Sequence, residues 1–201
     1  MIATFNDLLT TYFNDKNSST LRECLTTAIC GYEHSESKIG YNGFRQVTIN
    51  GKSKKLECEV KPKNIDSNEI RKWKNGERKS KPAVLNAGGN FTDYTWDRFD
   101  KDLQNNPNML ISGFVDGKLM YIFEFPFNIN SFTERLKLQL EKKFPNRNRK
   151  ENDFLRSASF TYKDFINDID NTLKFILSKS DLEKYKEYFD ANFFNLLLNM
   201  V

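Results

Sequence analysis

The sequence predicts a mixed α/β fold, α+β-like in layout: a central mixed sheet flanked by helices, with a helical C-terminal region over 131–201. Three observations carry this. Two strand pairs close on the turn dipeptides Asn50-Gly51 and Asp116-Gly117, whose residues tolerate the positive φ of a two-residue hairpin. Helical apolar spacing precedes them, as in Leu21, Leu25, Ala28 and Ile29. Ser131-x-x-Glu134 and Ser180-x-x-Glu183 have the form of capping boxes.

In order along the chain, helices are expected over 3–14 and 18–30, then a polar stretch over 31–43. Strands follow at 44–49 and 54–61. In the second, Leu56, Cys58 and Val60 point one way, and Glu57, Glu59 and Lys61 the other. Residues 62–90 read as irregular and basic, and 93–104 as a helix. The apolar strands 109–115 and 118–125 suggest coverage on both faces. Glu124 inside the second must sit near its end or be paired. Helices are expected near 132–144, 161–178 and 181–199. Their large apolar residues, among them Phe160, Phe165, Phe189, Phe193, Phe194 and Leu197, read first as core and second as a dimer face.

The 201 residues fit one domain, large enough to fold without disulfides or metal. Hydrophobic residues at 38% and aromatic ones at 14% exclude a disordered chain. No apolar run reaches the roughly 20 residues that span a bilayer, and the first residues do not resemble a signal peptide. Cys24, Cys30 and Cys58 lack metal-ligand spacing and suit packed thiols in a reducing cytosol. His34 is the one histidine, so no multi-His metal site can form. Net charge is +4, yet residues 38–81 hold 13 Lys/Arg against 5 Asp/Glu, and the rest 18 against 22. This asymmetry suggests an anionic partner for one segment.

The first hairpin carries the sharpest chemical signal. With a two-residue Asn50-Gly51 turn, Ile49 faces Lys52 and position 42 falls opposite Glu59. Directly opposed residues have Cβ atoms about 4.5–5.5 Å apart, and Lys61 shares the Glu59 face. A four-residue loop puts position 42 opposite Lys61 instead. In either register Asn42, Glu59 and Lys61 cluster at the open end of the hairpin, provided the pairing extends as far as Asn42.

Glu59-Val60-Lys61, following Gly40-Tyr41-Asn42-Gly43 by one hairpin, resembles the PD-(D/E)xK nuclease superfamily, and within it the type II restriction endonucleases. The family pattern is an acidic residue, a hairpin, then (Asp/Glu)-x-Lys on the next strand. The order helix, hairpin, helix, strand extends the resemblance over about 18–125. It implies a Mg²⁺-dependent, sequence-specific cut in double-stranded DNA. A Mg²⁺ ion activates water, neutralises the phosphate and stabilises the leaving oxygen. It is held by one or two carboxylates plus waters. By resemblance, Glu59 is the main carboxylate ligand, the Val60 carbonyl another, and Lys61 polarises the attacking water. Asn42 departs from the pattern, which has Asp there. Either Asn is natural and another acid compensates, or it is an inactivating Asp→Asn change; the family-like form GYDGF favours the latter. Glu23, on the preceding helix, is the first acid expected to complete the site; Glu33 and Glu36 beside His34, and Glu57, are weaker ones.

DNA contacts are expected from the basic stretch: Lys63, Arg71, Lys72, Lys74, Arg78, Lys79 and Lys81, which would neutralise phosphates. Asn86 and Asn90, with Asn64, Asn68 and Asn75, carry amides of the kind that read adenine edges, although the chain has 23 Asn in all. Trp73 reads as docking the loop or stacking on a base. A palindromic target would call for a homodimer. The competing expectations are a nicking or repair nuclease of the same superfamily, a catalytically dead nuclease fold that binds DNA, and a basic loop that meets an acidic protein.

Overall fold

The computed structural model describes residues 19–35, 40–168 and 172–201; the helix expected over 3–14 lies outside them. The Asn50-Gly51 turn forms with φ of 51° and 74°. It joins β2 (Gly43–Ile49) to β3 (Lys52–Ile65) with Ile49 opposite Lys52, the two-residue register expected from sequence. The two-residue β1 (Glu33–His34) adds to the free edge of β2.

β3 runs past Lys61 because it changes partners. β2 pairing ends at Gly43 opposite Cys58, and there β5 (Asn108–Val115) begins to pair in parallel, from Cys58 opposite Asn108 to Ile65 opposite Val115. β5 turns at Asp116-Gly117 into antiparallel β6 (Lys118–Pro126), and β8 (Thr172–Ile176) closes the far edge. The six strands run β1-β2-β3-β5-β6-β8, a mixed sheet. A second, two-stranded antiparallel sheet pairs β4 (Gly89–Tyr94) with β7 (Leu155–Phe160).

Both faces of β5 and β6 are buried. On one face Cys58, Val60, Leu110 and Ile122 pack with Cys30 and Tyr32, at the end of α1 (Ser19–Ile29). On the other, Met109, Ile111, Tyr121, Phe123 and Phe125 join the larger core with Phe91, Phe132, Phe165 and Phe193. All three cysteines are buried. Burial pushes the Cys30 thiol up to about 12.

The second half of the chain departs from expectation. The stretch 62–90 contains the end of β3 and a helix, α2 (Ser67–Lys74), capped by Asp66. α3 (Trp96–Asn105) starts at the Thr95 cap, after β4. α4 (Asn130–Lys143) has no side-chain cap; Ser131 instead donates to the Asp164 carbonyl, so its box pattern is not a box. The helix expected over 161–178 is replaced by a 3₁₀ turn, Tyr162–Asp164, and β8. β7 also interrupts the helical region, alternating exposed Ser157 and Ser159 with buried Ala158 and Phe160. The helix expected over 181–199 divides into α5 (Lys179–Glu183), capped by Ser178, a 3₁₀ turn and α6 (Ala191–Leu198), capped by Asp190. The break falls where Leu85 forms backbone hydrogen bonds to Tyr188 and Asp190. Phe160, Phe165, Phe189, Phe193, Phe194 and Leu197 are all core, which leaves none of these six to face a second subunit. Among the described residues no helix is long and apolar enough to cross a membrane.

Candidate active site

The partner change in β3 creates the site. From residue 59 onward β2 no longer pairs with β3, and the Asn42 side chain takes over: its Oδ1 accepts the Val60 N–H at 2.8 Å. Its Nδ2 donates to Glu23 Oε2 at 3.0 Å, bringing in α1. Amide orientation follows from these partners, since an N–H requires the oxygen and a carboxylate the NH₂ group. Ser19 Oγ holds the other Glu23 oxygen at 2.9 Å.

Glu59 and Lys61 share the opposite face of β3 from Cys58 and Val60. Lys61 Nζ donates to Glu59 Oε1 at 2.7 Å and sits 4.7 Å from the centre of the Phe91 ring. Glu59 is 7% exposed. β4 crosses close above: a Cβ on Gly89 would lie 3.0 Å from Lys61 Cβ. Glu59 Oε2 accepts no hydrogen bond from a described residue. Strand pairing stops one residue short of Asn42, so Asn42 does not pair opposite Glu59 as read; its side chain joins Glu23 to the Val60 N–H, and Lys61 joins Glu59. Glu57 pairs with exposed Lys55. Glu33 is exposed on β1, His34 is half-buried opposite Gly43, and Glu36 lies outside the described residues.

α3 supplies groups that the sequence reading missed. Arg98 Nη2 lies 3.5 Å from Glu59 Oε1 and its Nε 3.9 Å from Asp102 Oδ2. The buried Asp102 carboxylate accepts from Tyr41 at 3.0 Å and Tyr94 at 3.1 Å. Burial pushes the Asp102 carboxyl above its ordinary pKa, outweighing Tyr41, Arg98 and Tyr94, which pull it down. Tyr41 precedes Asn42, so α3 holds the Asn42 segment at one end and Glu59 at the other. The available signal was an acid three residues after core-facing Phe99, inside the apolar stripe of the helix. A polar groove of about 320 Å³, lined in part by Tyr41, Gly43, Lys55, Lys101 and Asn105, opens alongside.

A third buried acid lies on the other face. Glu124 accepts from Tyr32 at 2.6 Å and from Asn108 at 2.5 Å, and pairs with Arg45 at 3.0 Å and Lys174 at 3.1 Å. Burial raises its pKa, but these donors together hold it below the ordinary value.

Most of the basic stretch is engaged internally. Lys63 is half-buried and donates to Asn86 Oδ1 at 3.2 Å, and burial lowers its pKa. Lys72 and Arg78 both pair with Glu69, Lys74 pairs with Glu187, and Lys81 lies over half-buried Trp73. Arg71 and Lys79 are exposed and make no ion pair among the described residues. Asn86 also accepts the Gly88 N–H, Asn64 that of Gly117, and Asn75 donates to Glu77. Asn90 is exposed on β4, and Asn68 donates its N–H to Asp66. The basic run after α4 is a fastening to α3: Arg147 pairs with Asp100 and Arg149 with Asp97.

The chain matches no protein-family model, and no curated protein matches it with significance. Among the described residues no cluster of three or more His, Cys, Asp or Glu is placed to hold a metal ion. Glu59, whose Oε2 accepts no hydrogen bond from a described residue, and Glu23, reached through Asn42, are the carboxylates nearest this strand segment in the hydrogen-bond network, and both are oxygen donors. That suits a hard cation needing one or two carboxylates and completing its shell with water. Position 42 is where a further charge would join it.

Proposed function

We propose that this chain is a Mg²⁺-dependent endonuclease of the PD-(D/E)xK kind that cuts double-stranded DNA at specific sequences, as a type II restriction enzyme does. The observation that carries the reading is the Asn42 carboxamide, seated on the Val60 N–H between Glu59 and Lys61 and reaching Glu23. Support also comes from the order of α1, the β2–β3 hairpin, α2 and the parallel strand β5.

In this reading Glu59, Glu23 and the Val60 carbonyl hold Mg²⁺, which when bound lowers the pKa of a water and neutralises charge on the phosphate. Lys61 Nζ orients that water and donates to a non-bridging phosphate oxygen. Phe91 fixes the Lys61 ammonium from the other side. Asn42 positions the Val60 backbone but brings no charge, so the cation is held weakly. Arg71, Lys79 and Lys101 contact the DNA backbone. Action on a two-fold symmetric site as a homodimer, in the cytoplasm, belongs to the same proposal.

A second reading has its own observation: both Asn42 amide ends are satisfied and two cations occupy Glu59 Oε1. That is a settled ion-pair network, as in a DNA-binding protein that has lost catalysis. Incubation of the chain and its Asn42→Asp variant with plasmid and phage DNA plus Mg²⁺ separates the two. Discrete fragments from the variant alone support the nuclease and make position 42 the missing carboxylate. Fragments from both make Glu23 sufficient. DNA binding without cutting by either favours the second reading, and absence of binding overturns both.

A further inference from the structure

Glu59 is the most buried carboxylate of the proposed metal site, and one of its oxygens faces two cations. Lys61 belongs to the reaction as proposed. Arg98 does not, yet its position is closely determined. Thr95 caps α3 and thereby places Arg98 in the first turn of the helix. The guanidinium lies 5.6 Å and 5.5 Å from the Phe91 and Tyr94 ring centres. Nη1 donates to the Thr92 carbonyl at 3.3 Å, Nε faces Asp102 and Nη2 faces Glu59. Its side chain is 40% exposed, against 9% for Glu59, so Arg98 is the member of the pair with room to move outward.

We propose that Arg98 is an internal counter-ion for Glu59: it holds the carboxylate while no divalent cation is bound and must withdraw for one to bind. This rests on the reading of Glu59 as a metal ligand. A buried carboxylate without a partner carries a large desolvation cost, and Arg98 adds to Lys61 in offsetting it. A cation arriving at Glu59 meets the guanidinium charge within a few ångströms, and like charges at that distance repel strongly in a partly buried setting. Asp102 sets the balance, since it draws Arg98 away from Glu59.

The inference predicts two effects of opposite sign on Mn²⁺ affinity, measured by electron paramagnetic resonance of the free ion at fixed ionic strength. Arg98→Gln removes the competing charge, and its Mn²⁺ dissociation constant should fall by about tenfold. Asp102→Asn leaves Glu59 as the one carboxylate facing Arg98 among the described residues, and the constant should rise. Glu59→Gln should lose the binding and serves as the reference. A merely structural Arg98 would loosen the site and weaken Mn²⁺ instead. If Glu59→Gln loses binding while Arg98→Gln binds no tighter than the parent, the counter-ion role is overturned and the metal-site reading stands. If Glu59→Gln binds Mn²⁺ as well as the parent, that reading fails and takes the counter-ion role with it.

Discussion

Asn42 does with a neutral amide what an acid at the same position could do only with help. Its Nδ2 lies 3.0 Å from Glu23 Oε2. An Asp there would set two carboxylate oxygens against each other at that spacing, and one would have to take up a proton or share a cation. The Asn42→Asp variant should therefore melt below the parent without divalent ions, by about 1–2 kcal/mol. Mg²⁺ or Ca²⁺ should recover that loss by binding the native state, while leaving the parent almost unchanged. Thermal unfolding with and without each ion measures both. Asp102 gives a separate pH signature. Burial raises its folded pKa above the unfolded value near 3.9, so the folded state holds this proton more tightly. The stability it contributes is full below the unfolded pKa and is lost as pH rises through the folded one. Asp102→Asn should abolish that loss, seen in denaturant titrations carried upward from about pH 4.

At the scale of the element, β3 is where sequence reading worked best. The Asn50-Gly51 turn and the alternation of Leu56, Cys58 and Val60 with Glu57, Glu59 and Lys61 determine register and face, and both are as read. Helical spacing misled further on, where Phe165, Leu173 and Ile176 fit a helix over 161–178 but the last two lie in β8, and where β7 crosses a region read as helical. What decides those segments is the exposed edge of β4 and of β6, which no local pattern reveals. β4 is also the lid on Lys61. Gly89→Ala would place a Cβ 2.8 Å from the Phe160 ring and 3.0 Å from Lys61 Cβ, which should cost about 1–3 kcal/mol by overpacking. On the other face Glu124 ties Arg45 of β2, Asn108 of β5 and Lys174 of β8 to β6. Its lowered folded pKa means that its contribution is present above the unfolded pKa and is lost as pH falls through the folded one. Glu124→Gln should cost about 3 kcal/mol at neutral pH and flatten the acid limb of stability against pH.

Across the whole molecule, segment charge was legible and its use was not. The excess over 38–81 is present in the sequence, but Glu69 takes up Lys72 and Arg78 locally, and Glu187, which only the fold brings near, takes up Lys74. Arg98 and Asp102 were passed over: Asp102 stood in the apolar stripe of its helix, but the pair gains its meaning from Glu59 on another element. Under the proposed function phosphate contact therefore falls to Arg71, Lys79 and Lys101, which make no ion pair among the described residues. Each change to Ala should reduce the slope of log affinity against log salt by about 0.9, and Lys72→Ala by less. The central claim is that the Glu59 face of β3 carries phosphodiester chemistry. Its most direct measurement is single-turnover plasmid cleavage in Mg²⁺ by Asn42→Asp and by the same variant also carrying Lys61→Ala. The account predicts that the second change slows cleavage by at least about 100-fold while DNA affinity stays within about twofold. Cleavage at an undiminished rate without Lys61 would contradict it.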